Sequence, residues 1–536
     1  MAILLRRTGD LSQADQADCW CTVMDAPAPP LSLPVMQNAA SRLEAAFDEI
    51  RDTWWALSRV LGQTPSAEWA HMPTSGTYAS DFGVALAWTA LVRHLAMEDN
   101  TVLVVCDDPW LFRRLMQIDG VEAGLPPPLL AAELKLRVRG FLARSKVSWR
   151  VFKATLRGRH LKRYTRGESF IITYGHPDSR TDGFDAYFGN MMKEFPKLQR
   201  MMHADCETNR ALRLSEDGRT SFISSWGRLS WIPKLFFTRW QPTDEQLNGT
   251  EGWLIRRAAV IEGGGGAAAM TRWQILAHTD WLQKTVPHSI VWPWENHPWE
   301  REIVRLAKRL GIRTIGFQHT VIGPHMFGQS PSSNRDGLES IPEMIICNGP
   351  AYRDQLVTWG IPEKRLSIGG NLRLAGPANL RYDPDGPVFV ALPGHLQFAS
   401  QLMASVYGMQ DIGRSFLFKV HPMYEFAFKE TENIKRTRVP LNELPGLSAV
   451  VYCLGTVGLE FLLSGIPTYR FRPSGSIAMD ILPPSLSAIA VDSDSLNGAL
   501  EDIKRPDTPP AHEILSDIKM ENWEKAFNMA ANHHPR

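Results

Sequence analysis

The chain lacks most of the features that place a sequence at sight. Six cysteines stand among 536 residues, and only Cys19 and Cys21 lie close together. Their one-residue gap fits neither a zinc knuckle nor a redox pair. Scattered thiols suit the cytoplasm. No run approaches the roughly 18 uninterrupted apolar residues of a membrane-spanning helix. The apolar run at Ala2–Leu5 is too short for a signal peptide, and Arg6 and Arg7 lie on its wrong side. No internal repeat is visible. An excess of one charge is also missing, with 58 Lys and Arg against 57 Asp and Glu for a net +1. At 44% hydrophobic and 21% charged residues, global disorder is excluded. The length allows roughly two to four domains with large cores.

What is present is a recurring order of helical spacing, apolar run and polar turn. Residues 1–60 read as an extension, interrupted by Pro27, Pro29, Pro30 and Pro34 and then helical from about Ala39 to Leu61. Helical spacing over Val84–Met97 precedes the β-type run Thr101–Cys106, which closes on Asp107, Asp108 and Pro109. That order predicts a buried parallel strand. Further strands are predicted at Ser169–Thr173, His288–Trp292, Arg313–Phe317, Met344–Cys347 and Leu366–Gly369. Helices are predicted at Glu300–Leu310, stopped by Gly311, and at Ala351–Trp359. Residues 376–387 are rich in Gly, Pro, Asn and Asp and read as a linker between two α/β domains. Beyond it, strands are predicted at Val388–Leu392, Ser415–Lys419, Ala449–Tyr452 and Thr468–Phe471. A helix is predicted at Val457–Ser464 and a last one around Glu521–Ala531.

One region breaks the composition. Between Leu134 and Gly167 stand twelve basic residues and no acidic one, which leaves the rest of the chain at −11. The first seven are Lys135, Arg137, Arg139, Arg144, Lys146, Arg150 and Lys153. Apolar residues such as Leu136, Val138, Phe141, Leu142 and Trp149 are interleaved with them. A basic amphipathic segment of this kind lies on anionic membrane surfaces. The alternatives are a long connecting helix with a solvated basic face, or nucleic acid, for which no recognised motif is nearby.

Turns at the carboxyl ends of parallel strands are where ligands bind. Gly394 follows one such strand, and His421 and Pro422 follow the next. About thirty residues on, Cys453–Glu460 opens a helix, whose first turn offers free N–H groups and a positive partial charge. Gly455 and Gly458 permit close backbone approach, and the Thr456 hydroxyl adds a donor. Glu460 lies a turn further in, within reach of a ribose hydroxyl. Together these form a candidate phosphate seat. The alternative is an ordinary glycine-capped strand–helix turn. Glu262 followed by Gly263–Gly266 reads as a mobile loop, since four glycines do not support a stable helix. It is not a Walker loop, because no Gly-Lys-Ser/Thr follows. Asp383 with Asp385, and Asp492 with Asp494, have the Asp-x-Asp form of some metal sites but read as solvated turns.

The order of these pieces over residues 169–471 resembles the GT-B type of glycosyltransferase. More narrowly, it is similar to bacterial enzymes of capsule and lipopolysaccharide assembly. The marks are Gly316–His319, Ile346–Gly349, Arg365–Gly370 with Arg373, Lys419–Pro422, and Thr456–Glu460 followed by Gly465–Pro467. In CMP-sugar-dependent relatives such as Kdo transferases and bacterial sialyltransferases, a His-Pro pair and a downstream Ser/Thr motif hold the nucleotide phosphate. The resemblance gives those roles to His421 and Thr456, although a serine pair is expected where Cys453 and Leu454 stand.

The resemblance implies an α/β fold of GT-B type, with two Rossmann-like domains facing an interdomain cleft. The expected divisions are an N-terminal extension (1–60), an acceptor-side domain (61–378) with a basic insertion near 125–167, a nucleotide-sugar domain (379–505) and a C-terminal helix or tail (506–536). The implied reaction moves a sugar from a nucleotide-activated donor to a surface glycan, with CMP-sugars favoured. CDP-glycerol or NDP-sugar polymer transferases, a sugar-nucleotide epimerase and a non-catalytic scaffold are the alternatives. Sugar transfer needs a base within reach of the attacking hydroxyl. Glu295, just past the strand ending at Trp292, is the preferred one. Asp107, Asp108, His176 and His319 are rivals at other strand ends, His319 reading also as a cleft-lining or structural histidine. The expected partners are a nucleotide-sugar donor, a glycan or lipid-linked acceptor and an anionic membrane surface, without nucleic acid. Neither a metal nor another cofactor is expected, and the expected location is the cytoplasmic face of the membrane.

Overall fold

The computed structural model describes every residue except 1–2, 65, 70–75, 78–79, 163–164, 374–379, 410–412, 422–423, 425, 506 and 530–536. Among the described residues, seventeen strands form three sheets, and every pairing between these strands is parallel.

The first sheet holds β1 (Ile3–Arg6), β2 (Cys19–Thr22), β3 (Val102–Val105) and β4 (Val121–Ala123), in the order β2-β3-β1-β4. This corrects the expected extension. Residues 3–22 form two strands of a sheet, with Ile3 aligned to Val102 and Cys19 aligned to Val102 from the other side. The strand read at Thr101–Cys106 belongs here and not with the sheet that follows. The helical run expected from Ala39 to Leu61 is two helices, Ala39–Glu49 and Arg51–Gly62.

The second sheet holds β5 (Ser169–Thr173), β6 (Gln199–Met202), β7 (Thr220–Phe222), β8 (Ser289–Pro293), β9 (Arg313–Gln318), β10 (Met344–Cys347) and β11 (Leu366–Ile368). Its order is β11-β10-β9-β8-β5-β6-β7. The third holds β12 (Val388–Ala391), β13 (Phe416–Lys419), β14 (Ile434–Arg436), β15 (Ala449–Tyr452), β16 (Thr468–Phe471) and β17 (Ile489–Val491), in the order β14-β13-β12-β15-β16-β17. Continuous apolar strands such as Phe170–Ile172 and Val388–Val390 are fully buried, as strands covered on both faces must be. These two sheets are the Rossmann-like pair expected of a GT-B architecture. The linker expected at 376–387 lies partly outside the described residues.

The chain ends tie the layers together. The helix Met520–Phe527 follows the third sheet in sequence but packs on the second, where Trp523 meets Phe317 and donates to Gly369 O at 3.0 Å. A Cβ on Gly370 would come within 2.1 Å of Asp517 O, and one on Gly349 within 2.1 Å of Ile514 O. The glycines of two motifs that carried the resemblance are therefore seats for the C-terminal segment.

The basic insertion is a 30-residue helix, Leu129–Gly158. At about 1.5 Å per residue it runs roughly 45 Å. Its buried stripe is mostly small or polar, with Gly140, Arg144, Ser148, Ala154, Thr155 and Gly158 beside Val151. The glycine run is also not the mobile loop expected. Gly266 starts the helix Gly266–Thr285, and Gly264 O accepts from the Arg144 guanidinium. Glu262 is enclosed, accepts from Ser80 Oγ at 2.7 Å, and is pushed up to about 8 by burial. The glycines are needed for close packing: a Cβ on Gly263 would lie 2.8 Å from the Trp240 side chain.

Candidate active site

In both Rossmann-like sheets the chain reverses its direction of strand addition once. In the second sheet, β5, β6 and β7 run outward one way and β8 then starts on the other side of β5. The crevice between β5 and β8 is thus a switch point, the usual ligand position in open parallel sheets. Tyr174 follows β5 there, and Glu295 and His297 follow β8. In the third sheet the same reversal falls between β12 and β15. Gly394 follows β12, and Gly455 and Thr456 follow β15.

The two crevices meet. A cavity of about 560 Å³ is lined by Tyr174, Tyr187, His203, Glu295, His297 and His319, among others. A second, of about 260 Å³, is again lined by Glu295 and His297, now facing Leu454, Gly455 and Thr456. Glu295 and His297 belong to both, so the two domains share one cleft.

Glu295 is placed by its successor. Asn296 adopts a left-handed φ of 59° and anchors itself by donating to Gly328 O at 2.7 Å. The buried Glu300 carboxylate accepts from the Glu295 N–H at 3.1 Å, the Asn296 N–H at 2.9 Å and Trp292 Nε1 at 2.9 Å. Burial pushes Glu300 up to about 7. The turn so fixed aims the Glu295 carboxylate at two histidines, with His297 Nε2 at 2.6 Å and His319 Nε2 at 3.4 Å. Burial pushes Glu295 up, but the bond and charge of His297, then His319 and Arg373, outweigh it and hold the carboxyl low. For His297, burial pushes down, and Glu295 more than reverses it. The pair is a carboxylate–imidazolium ion pair. His319 is enclosed and lowered to about 4 by burial, so it is neutral. Arg373 lies 4.6 Å from the Tyr187 ring, and Tyr187 packs against His319.

The structure brings Glu295, His319, Gly455 and Thr456 to the cleft. Thr456 begins the helix Val457–Leu463, and its hydroxyl makes no capping bond. Gly455 has φ 127° and open space where a Cβ would stand. Gly394 and His421 share a neighbouring corner: a Cβ on Gly394 would meet the Tyr424 ring at 2.8 Å and His421 at 3.5 Å. Burial lowers His421. Pro422 lies outside the described residues. Gly458 differs from expectation. It is buried, and a Cβ there would come 2.3 Å from Tyr452 Cζ, so its role is helix–strand packing. Glu460 is pushed up to about 7 by burial, against the charge of Lys419.

The rivals to Glu295 are otherwise engaged. Asp107 accepts from the Thr8 N–H and hydroxyl at 2.8 and 2.7 Å. Asp108 caps the helix Pro109–Leu115 and pairs with Arg257 at 2.7 Å. His176 sits against Tyr187, 3.6 Å from Asp178. Asp383 and Asp492 each accept from backbone N–H groups of their own turns. Among the described residues, no group of three His, Cys, Asp or Glu is placed to hold a metal ion.

Sequence reading missed His297, Tyr174 and His203, and also Gln274, which lines the cleft with its amide against the His203 ring. A signal existed for His297, because an imidazole two residues after a strand-end carboxylate is a ready ion-pair partner. Of the expected surface cations, Lys135, Arg137, Arg139, Lys146 and Lys153 are exposed. Arg144 is not: it is buried and donates to Phe236 O at 2.8 Å. Arg150 lines the cleft and meets Asp205 at 3.4 Å.

No family model and no curated protein matches the chain. Solved structures with some likeness include the calicheamicin glycosyltransferase, at 12% identity and TM-score 0.37 over 63% of this chain and 88% of that one. Another is the glycosyltransferase SnogD from Streptomyces nogalater, at 12% and 0.35 over 65% and 98%. A third is UDP-GlcNAc 2-epimerase from Neisseria meningitidis, at 10% and 0.36 over 67% and 99%. At such scores these likenesses add nothing to the architecture read from the strand order.

Proposed function

We propose that the chain is a glycosyltransferase that moves a sugar from a nucleotide-activated donor, with CMP-sugars such as CMP-Kdo favoured, to a surface-glycan acceptor. The observation that carries this reading is the shared cleft, in which the switch points of two sheets face each other across Glu295 and His297. The third sheet supplies the donor side through Gly455 and Thr456, with His421 and Gly394 in the adjoining corner. The second sheet supplies the acceptor side. In the reaction, the acceptor oxygen bonds to the anomeric carbon as the bond from that carbon to the donor phosphate oxygen breaks. The electron pair leaves with the phosphate, and the acceptor proton passes to Glu295. The His297 imidazolium lies in the same cleft and stabilises the departing anion. Drawing His297 toward that anion also loosens its hold on Glu295 and restores the carboxylate's basicity.

The same reading places the enzyme on an anionic membrane surface. The long helix turns large apolar residues outward, with Leu130 81%, Leu142 62% and Trp149 57% exposed. A merely solvated basic face has no need of so many. Lys135, Arg139 and Lys146 stand among them. Such a face suits the headgroup boundary of a bilayer. Among the described residues, no helix is long and apolar enough to cross a membrane.

A thermal-shift panel of CMP, CDP, UDP and GDP tests the donor assignment, because ligand binding raises apparent stability. CMP is expected to raise Tm. Thr456→Ala is expected to weaken that response about tenfold through a lost hydrogen bond to a charged group. Its own Tm should not change, since the hydroxyl caps nothing. No response to any of the four nucleotides, or release of a free epimer without acceptor, would end this reading.

A further inference from the structure

A separate cavity, of about 700 Å³, lies outside the cleft and carries different chemistry. Six arginines line it: Arg113, Arg114, Arg137, Arg144, Arg239 and Arg256. Glu133 is the carboxylate among the lining residues, and Arg137 already pairs with it. Arg114 meets Glu251 at 4.0 Å. The bonds seen for three of the others go to backbone carbonyls: Arg113 to Pro109 and Pro127, Arg144 to Phe236 and Gly264, and Arg256 to Leu247. Such bonds fix a guanidinium without neutralising it. Among the described residues, Arg113, Arg144, Arg239 and Arg256 have no ion-pair partner. Arg144 is also buried, and burial and the charge of Arg239 both lower its proton affinity. Trp110, Trp240 and Trp253 complete the walls, and the buried Trp240 ring N–H has no hydrogen-bond partner among the described residues. Like charges gathered in a concave apolar-walled site raise the local concentration of anions. Guanidinium groups match phosphate in geometry and charge.

Two features say what kind of anion. Leu129, Glu133 and Arg137 line the cavity at four-residue spacing along the long helix. One residue on, at the same spacing, Leu130, Leu134 and Val138 form an exposed apolar stripe. The cationic cavity and the apolar stripe therefore run side by side. Further along, the same helix reaches the cleft, which Val147 and Arg150 line. From Arg144 to Arg150 the helix rises only about 9 Å. Gly264 lines the arginine cavity, and Gly266, two residues on, lines the cleft.

The geometry points to a site for the phosphate head of a lipid, held by Arg113, Arg144, Arg239 and Arg256, with its chain lying along Leu130, Leu134 and Val138. This deepens the membrane reading above and is independent of the sugar-transfer chemistry. A lipid-linked acceptor bound this way has its phosphate about one and a half helical turns from the cleft.

The test uses the full chain and phosphatidylcholine vesicles doped with phosphatidic acid, or with phosphatidylglycerol at equal charge. Phosphatidic acid offers a free phosphate head, while phosphatidylglycerol offers a shielded diester. The chain should sediment preferentially with phosphatidic acid. Arg239→Gln with Arg256→Gln, both at exposed positions, should weaken that binding about tenfold or more by removing charge-assisted hydrogen bonds. Binding to phosphatidylglycerol should change little. The single variant Arg239→Gln provides a milder perturbation if the double variant is unstable, and an unchanged Tm and CMP response show the fold and donor site intact. Equal binding to both vesicles, unaffected by the substitutions, would overturn the assignment in favour of general surface charge. Strong stabilisation by soluble pyrophosphate without a phosphatidic acid preference would overturn it in favour of a soluble anion. Loss of the nucleotide response alone would bear on the donor site and leave this one standing.

Discussion

Glu295→Gln tests whether one ion pair sets the charge of the cleft. Burial lowers His297, and the bond and charge of Glu295, joined by Glu300, raise it further in the other direction, from an ordinary 6.5 to about 9. A rise of roughly 2.5 pH units corresponds to about 3 kcal/mol at about 1.36 kcal/mol per unit. The Glu295 side chain is 34% exposed, so solvent screens part of this. About 1–2 kcal/mol is then the expected worth of the pair. A folded value above the unfolded one gives stability that is whole below about pH 6.5 and is lost as pH rises through about 9. Glu295 has the opposite sign. Its carboxyl is held below its ordinary 4.5, so its share is whole above that value and is lost as pH falls toward about 2. The pair is fully stabilising between about pH 4.5 and 6.5. In Glu295→Gln the amide keeps the volume and removes the charge. Burial then dominates, and His297 becomes neutral at pH 7. An NMR titration of the His297 imidazole reads this directly, and the loss of Tm between neutral and alkaline pH should flatten in the variant. Transfer should fall about 100-fold or more if Glu295 is the base. An imidazole that titrates near 6.5 in both proteins would refute the ion pair.

Two packing predictions follow from glycines. Gly458→Ala puts a Cβ against the Tyr452 ring of β15 and should cost about 1–3 kcal/mol, seen as a lower Tm. An unchanged Tm would mean that the helix Val457–Leu463 does not press on that ring. Gly140→Ala places a Cβ 2.6 Å from Gly264 O. Faster hydrogen exchange at residues 262–266 is expected as the long helix is pushed from the glycine turn, and unchanged exchange would argue against that docking.

Much of the two large sheets was legible because their central strands are unbroken apolar runs, a pattern that needs no knowledge of partners. The strands that escaped reading depend on distant residues. Ile3–Arg6 and Cys19–Thr22 are short, and their partner strand lies some eighty to a hundred residues away. Gln199–Met202 contains Arg200, a poor strand-core residue by sequence. It is buried because Asp217 meets it at 2.9 Å and Asp185 at 3.6 Å. The site was legible in the same uneven way. Glu295 could be placed because a carboxylate follows a strand end. The meeting of Glu295 with His297 hangs on one left-handed residue, Asn296, and on Glu300 a turn away. Arg144 was misread as a surface cation because its partners are backbone carbonyls, which no sequence pattern marks.

The first sheet, of which only the strand at Thr101–Cys106 was legible in the sequence, also bears on the cleft. From its layer, Met24 N–H and Trp88 Nε1 donate to Gly475 O at 2.8 and 2.9 Å, beyond β16 of the third sheet. Glu44 of the helix Ala39–Glu49 pairs with Arg470 and Arg472 on the same side. Three residues along that helix, Phe47 stacks on Phe327 at 5.0 Å, in the segment after β9 of the second sheet. One helix therefore grips both Rossmann-like units, and the C-terminal helix returns from the third sheet to the second. The units are bridged by both parts of the chain that looked peripheral in the sequence. A charged grip and an aromatic one differ in how they yield. The Glu44–Arg470 pair is buried, so parting it would strand charge away from water, whereas the Phe47–Phe327 stack tolerates sliding. Movement of one unit against the other is then expected to slide at the aromatic contact while the Glu44 pairs hold.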